Sequence, residues 1–218
     1  MITQYITLRL IYLVFYIIAF GIGLYVKKYH KGLHILVGLL GLGLFTEYLV
    51  SANNAISDVN YEDYIYNIYV PFEYFLYASF FYCINKNRYI RKSILISIPL
   101  FIVSILIFSE FKAIFGEKLR TNIYVLSGIF TIIWSLWTLF ILEPIKGITF
   151  KTHPLFWICT GLIIFYSVNT PYNLMYDSLK ELDKDLFKLA SKIVQRGSNM
   201  FLYLIISIGF ICSHRMKK

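Results

Sequence analysis

The sequence predicts an all-α, polytopic membrane protein: a seven-transmembrane-helix bundle, amino terminus outside and carboxyl terminus cytoplasmic, with an amphipathic outer helix between helices 6 and 7. Three observations predict it. Hydrophobic residues fill 58% of the 218 positions and charged residues only 15%, where a soluble chain carries roughly 25% charged residues. The apolar residues gather into long runs, and mean hydropathy is +0.66. About seven spans of roughly 20 residues use some 140 positions, which leaves short loops and one longer one, so residues 1–218 read as a single domain. Runs such as Ile94-Leu95-Ile96 and Leu204-Ile205-Ile206 lack the every-second-residue alternation of a membrane β-barrel.

In order, the apolar segments are Tyr5 to Val26, Leu33 to Ser51, Tyr61 to Ile84, Ser93 to Phe108, Asn122 to Glu143, Leu155 to Tyr176, and Ser198 to Ser213. Each approaches the length needed to cross about 30 Å of hydrocarbon at about 1.5 Å per residue. The fourth is the weakest, being short and holding Pro99. The first has no basic region ahead of it and no small-x-small site, so it reads as a span and not as a cleaved signal. No internal repeat divides the seven.

Orientation follows the cations. Lys27, Lys28, Lys31, Lys86, Arg88, Arg91, Lys92, Lys146, Lys151, Arg215, Lys217 and Lys218 are twelve of the 21 cations and fall on one side. The positive-inside rule makes that side cytoplasmic. The formal net charge of +9 is then a topology signal and not a nucleic-acid footprint, because no basic stretch interleaved with aromatics lies outside the spans. Cys83, Cys159 and Cys212 fall near the inner ends of their spans, where packing is expected of them and disulfides are not.

Carboxylates within spans cost roughly 2.5–3.5 kcal/mol each on insertion scales, so each needs a partner, a proton or water. Glu47 lies about one turn from the outer end of the second span, and Glu73 lies roughly 17 Å into the third. Glu62, Tyr66, Tyr69, Glu73 and Tyr77 recur at steps of 4, 3, 4 and 4, which aligns them on one helical face. Tyr166, Asn169, Asn173 and Asp177 do the same in the sixth span beside Pro171, whose missing N–H frees a carbonyl. Arg9 stands at the depth expected to pair with Glu47. Together these residues predict a polar, outward-facing pocket among the first, second, third and sixth helices, lined by Arg9, Glu47, Asn67, Tyr69, Glu73, Tyr166, Asn169 and Asn173. The same pattern also fits a buried network that only locks helix contacts.

Gly128, Thr131, Ser135 and Thr138 form a small-residue stripe on the fifth span, and Gly38, Gly41 and Gly43 one on the second. Both are expected to serve close helix packing. In the outer connection, Leu179, Leu182, Leu186, Leu189 and Ile193 fall at steps of 3, 4, 3 and 4. They predict an amphipathic helix over 177–196 that lies on the headgroups or lids the pocket, with Gly197 as a hinge.

Much chemistry is missing. The last span has no lysine for a retinal Schiff base. His30, His34, His153 and His214 are all expected at the cytoplasmic surface, so no metal site and no cofactor is predicted. No nucleophile elbow, P-loop or dinucleotide fingerprint occurs.

Two resemblances can be marked. Val70-Pro71-Phe72-Glu73-Tyr74-Phe75-Leu76-Tyr77 resembles the Pro-x-Glu-Glu-x-x-x-Phe segment of membrane carotenoid cyclases, with Tyr74 in place of the second glutamate. The Tyr66-Asn67-Ile68-Tyr69 run leading to Glu73-Tyr74-Phe75, with Pro154-Leu155-Phe156-Trp157-Ile158, Gly161-Leu162-Ile163 and Tyr166, is similar to small seven-helix bacterial membrane proteins of the sensor or accessory type. That resemblance implies a multi-pass protein of the bacterial cytoplasmic membrane that acts with a partner, and it carries no activity.

The expected function is accordingly a non-enzymatic sensor. A small molecule or lipid would bind the outer pocket, and the output would pass to a separate cytoplasmic partner at the basic loop holding Arg88, Arg91 and Lys92. The alternatives are an oligomeric pore or permeability effector, as in cell defence, and a lipid- or isoprenoid-modifying enzyme using Glu73. The bilayer is the one certain neighbour, a homo-oligomer is compatible, and nucleic acid is not expected.

Overall fold

The structure is a computed structural model that describes residues 2–27, 31–56, 61–108, 117–142, 150–182, 187 and 191–216, with side chains for all of these except 2–9, 54, 63, 108, 117–120, 177, 180, 182 and 192. The chain is helical throughout the described residues. Seven long helices follow one another: α1 (Ile2–Val26), α2 (Leu33–Ile56), α3 (Glu62–Ile84), α4 (Arg88–Phe108), α5 (Glu117–Phe140), α6 (Pro154–Leu174) and, last, α8 (Ser198–Arg215). Before α8 come the short α7 (Tyr176–Leu182) and a π-helical turn, Lys192–Gly197. Five stretches, in α2, α4, α5, α6 and the π-turn with α8, are long and apolar enough to cross a membrane. The chain therefore has the make-up of a multi-pass membrane protein.

Local chemistry sets the helix ends. Gly32 joins α1 to α2 at φ +88, a left-handed conformation that favours glycine. A Cβ there would also stand 2.8 Å from Ile84 Cγ2 at the end of α3. Asn85 ends α3, and its Nδ2 donates to the Phe81 carbonyl at 2.9 Å and to Thr138 Oγ1 of α5 at 3.0 Å. Asn87 then opens α4 by accepting from Tyr89 N at 2.8 Å, as N-caps do. His153 caps α6, its Nδ1 accepting from Leu155 N at 3.2 Å, and Pro154 follows at the first helical position, where its missing N–H costs nothing.

Several expectations change here. α4 is not short. It runs unbroken through Pro99 for 21 residues, and its mean hydropathy of 2.1 is the highest of the five spans. Within a bilayer, neighbouring groups tolerate a helix proline better than water does. His153 is not a surface histidine, because it is 6% exposed and spent on the cap. Gly197 is no hinge, since it sits at φ −63 and ψ −46 and passes helically into α8. Of the expected outer amphipathic helix over 177–196, the structure describes α7, helical residues 187 and 191, and the π-turn, while residues 183–186 and 188–190 lie outside the described residues. Leu186 and Leu189 of its apolar stripe lie outside the described residues.

Six helices close into a ring. α1 packs on α2, α2 on α3, α3 on α5, α5 on α6, α6 on α8, and α8 returns to α1. α4 stands outside the ring against α3 and α5. Tyr74 holds it there, donating to Ser97 Oγ at 2.8 Å and stacking on Phe101 with ring centroids 3.7 Å apart. The small-residue stripe of α5 serves packing. Thr131, Ser135 and Thr138 are buried, and a Cβ on Gly128 would stand 2.7 Å from Thr170 Oγ1 and 2.8 Å from Tyr166 Cδ1 of α6. α6 and α8 interlock reciprocally, with Ile205 against Gly161 and Ile158 against Gly209, the close approach that small residues permit in membranes.

The outward faces are apolar. Leu10, Val14 and Ile17 on α1, and Leu100, Leu106 and Ile107 on α4, are all more than half exposed. A continuous apolar surface of this kind suits lipid and would be an association liability in water.

Candidate functional site

The ring encloses a cavity of about 370 Å³, within the usual range of small-molecule sites, about 300–1,000 Å³. All six ring helices contribute to it and α4 does not. The face of α3 predicted from its spacing lines it in full: Glu62, Tyr66, Tyr69, Glu73 and Tyr77. By helical rise those five span roughly 22 Å of depth. α2 adds Gly43, Thr46 and Glu47, and α6 adds Phe165, Asn169 and Asn173.

Of the residues expected at the site, Glu47, Tyr69, Glu73, Asn169 and Asn173 all line this one cavity. Asn67 is buried but is not part of the lining. Tyr166 is fully buried one layer back, between Tyr77 and Tyr124, with ring centroids 6.1 and 5.8 Å away. The side chain of Arg9 lies outside the described residues. Glu47, the partner expected for it, accepts at Oε1 from Tyr12 at 3.2 Å and from Tyr66 at 3.0 Å. Two phenols hold this carboxylate between α1 and α3.

Three contributions escaped the sequence reading. α1 supplies Tyr12 and Tyr16, α5 supplies Tyr124, and the π-turn with α8 supplies Gln195, Arg196, Asn199 and Tyr203. Tyr16 and Tyr203 stack at 4.0 Å, and Tyr12 leans on both. The signal was present as polar residues four apart on apolar helices, Tyr12/Tyr16 and Gln195/Asn199/Tyr203. Each pair alone resembles ordinary packing, so only ring closure reveals that they face α3. The wider turn of a π-helix re-aims side chains and recurs at functional sites. Here it places Gln195 and Arg196 at the same end of the cavity as Glu62 and Tyr176. Asn169 ties α6 to that region, its Nδ2 donating to Ser198 Oγ at 2.8 Å.

The carboxyl groups of Glu47 and Glu73 differ in their surroundings. Glu47 has the two phenol donors. Glu73 is 8% exposed, and its Oε1 accepts from Tyr69 at 3.2 Å, while its Oε2 is buried with no hydrogen-bond partner. The hydroxyls of Tyr16, Tyr77 and Tyr124 stand within electrostatic reach of it. Among the described residues, no group of three or more His, Cys, Asp or Glu side chains is arranged to hold a metal ion.

Arg88, Arg91 and Lys92 lie on the first turns of α4 and not on a loop, and all three are exposed. Arg91 is partly engaged, its guanidinium standing 4.1 Å over the Tyr82 ring of α3.

No protein-family model, curated protein or solved structure matches the chain.

Proposed function

We propose that the protein is a non-enzymatic seven-helix membrane sensor whose ring cavity takes a small molecule from the outer side and signals to a separate cytoplasmic protein. The observation that carries this reading is Glu73, a buried carboxyl that lines a 370 Å³ cavity and whose Oε2 has no hydrogen-bond partner. An unpaired buried polar atom costs about 1–3 kcal/mol, more when charged. A helix-locking network would have given this carboxyl a second donor, as Glu47 Oε1 has two.

The seven-crossing topology has two supports. α1 and α3 complete a ring with four helices that are long and apolar enough to span. The cavity mouth lies at the end of Glu62, Asn173 and Arg196, whereas Lys27, Arg88, Lys151 and Arg215 mark the opposite helix ends. The positive-inside rule then places the mouth outside and the basic end in a bacterial cytoplasm.

Signal output follows from adjacency on α3. Glu73 faces the cavity, and its neighbour Tyr74 grips α4 through Ser97 and Phe101. A ligand that prefers one packing of α3 over another would shift α4 with it. Arg88, Arg91 and Lys92 would move as the part presented to the partner. The inward turning of the α5 hydroxyl stripe favours this reading over an oligomeric pore: Thr131 donates to the Ser127 carbonyl at 2.8 Å and Thr138 to the Trp134 carbonyl at 2.7 Å.

Glu73→Gln tests the reading. Lost signalling with unchanged ion flux and lipid profile supports a sensor. Lost flux from proteoliposomes of the purified protein would support the pore instead, and a missing lipid product the enzyme. Side-specific labelling of Cys83 and Cys212 in right-side-out and inverted vesicles tests the orientation, with labelling expected only in the inverted ones.

A further inference from the structure

Resting on the reading of the ring cavity as a ligand site, we infer that its ligand is a small organic ammonium ion, held by the Glu73 carboxyl among tyrosine rings. The charge of the lining points this way. Among the described residues it holds three carboxylates, Glu47, Glu62 and Glu73, against one guanidinium, Arg196, with no lysine or histidine. This acidic interior belongs to a chain whose formal net charge is +9. A neutral polyol could hydrogen-bond to Glu73 but would leave its charge uncompensated where water is scarce, which is the costly arrangement. An ammonium ion supplies both a donor and the opposite charge.

The rest of the wall suits the same ligand. Tyr69 and Tyr77 stand one turn to either side of Glu73 on α3, and Tyr16 of α1 and Tyr124 of α5 line the same cavity. Electron-rich ring faces attract an organic cation within about 6 Å, by roughly 0.5–2 kcal/mol per contact. Phenol oxygens accept additional N–H donors. A bare metal ion fits less well, because it asks for six or more oxygen ligands. No acid cluster of that kind occurs among the described residues, and the cavity is far larger than one ion.

The ammonium group could come from a free amine or from an ethanolamine lipid headgroup, and the experiment separates them. The full-length protein is placed in nanodiscs of phosphatidylglycerol and titrated calorimetrically with methylammonium, choline and 2-phenylethylamine. 2-Phenylethanol serves as the neutral counterpart of the last. Binding of at least one ammonium probe is expected, with the alcohol weaker by roughly tenfold or more, and Glu73→Gln should weaken the ammonium probe by roughly tenfold to a hundredfold. In a second arm phosphatidylethanolamine is added to the discs. If the headgroup is the ligand, it stays bound to the wild type in native mass spectrometry, is lost from Glu73→Gln and competes with the free amine. If a free amine is the ligand, its affinity is unchanged by that lipid. Equal binding of amine and alcohol overturns the ammonium assignment and leaves the cavity as a ligand site. No binding of any probe and no retained headgroup, in protein that is still folded, overturns both. Should Glu73→Gln fail to fold, the wild-type ratio of amine to alcohol affinity decides alone.

Discussion

Gly43 leaves on α2 the space into which the Tyr16 side chain of α1 fits. A Cβ on Gly43 would collide with the Tyr16 hydroxyl, with Tyr16 Cζ at 3.0 Å and the Tyr69 hydroxyl at 3.2 Å. Tyr16 cannot swing aside freely, because it is 2% exposed and stacked on Tyr203 at 4.0 Å. Gly43→Ala is therefore an overpacking substitution, expected to destabilise by about 1–3 kcal/mol. Its worst contact is a single oxygen atom, so removing that oxygen should relieve most of the damage. Tyr16→Phe alone is expected to cost about 0.5–1.5 kcal/mol. In the double variant the two costs should fall short of their sum by about 1–2 kcal/mol, within the range of coupling between contacting residues. The assay is a double-mutant cycle on reversible unfolding in mixed micelles of increasing denaturing-detergent fraction, followed by circular dichroism. Additive costs, or a Gly43→Ala variant as stable as the wild type, would refute the close contact between α1 and α2 and with it this wall of the cavity.

The same unfolding assay checks three further outcomes. Glu47→Leu removes the acceptor of both Tyr12 and Tyr66 and should destabilise by about 2–4 kcal/mol, as two part-buried donors lose their partner; a loss below about 0.5 kcal/mol would mean those bonds contribute nothing. Glu73→Gln should leave stability unchanged or raise it by up to about 2 kcal/mol, since it keeps an acceptor for Tyr69 while removing an unsatisfied charge. A loss as large as that of Glu47→Leu would make Glu73 a structural residue. Asn85→Ala severs the bond from the end of α3 to Thr138 of α5 and leaves Thr138 with its own-helix partner only, at an expected cost of about 1–3 kcal/mol.

What could be read from the sequence was whatever a single helix determines. The helix period alone placed Glu62, Tyr66, Tyr69, Glu73 and Tyr77 on one face, and that face lines the cavity. Membrane character followed equally directly from composition. What could not be read was which helices are neighbours. Apolar helices in lipid carry no inside–outside stripe strong enough to order them around a ring. Tyr124 and Tyr203 therefore gave no sign of facing Glu73, and α4, the most hydropathic span, gave none of standing outside the ring. The expected Arg9–Glu47 pair rested on matching depth. Depth left unread that Tyr12, one turn further on, also donates to that carboxylate, while the Arg9 side chain lies outside the described residues. His153 was misjudged for a related reason: cation-rich flanks suggested solvent, whereas the Pro154 beside it creates a helix start that needs a capping acceptor.

The difference between Glu47 and Glu73 bears most directly on function. Two carboxylates on facing helices line one cavity, and the fold provides two phenol donors for the first but only one, at 3.2 Å, for the second. Donors were within the fold's means, for the Tyr16, Tyr77 and Tyr124 phenols surround Glu73 and none of them bonds to its Oε2. A network selected only to bind helices together would have turned one of those hydroxyls toward that oxygen, gaining about 1 kcal/mol. A buried carboxyl short of donors, on a residue that lines the cavity, favours an occupant that arrives from outside the chain. Because Tyr74 follows Glu73 directly and grips α4, a ligand at Glu73 would, on the proposed reading, also bear on how α3 packs against α4.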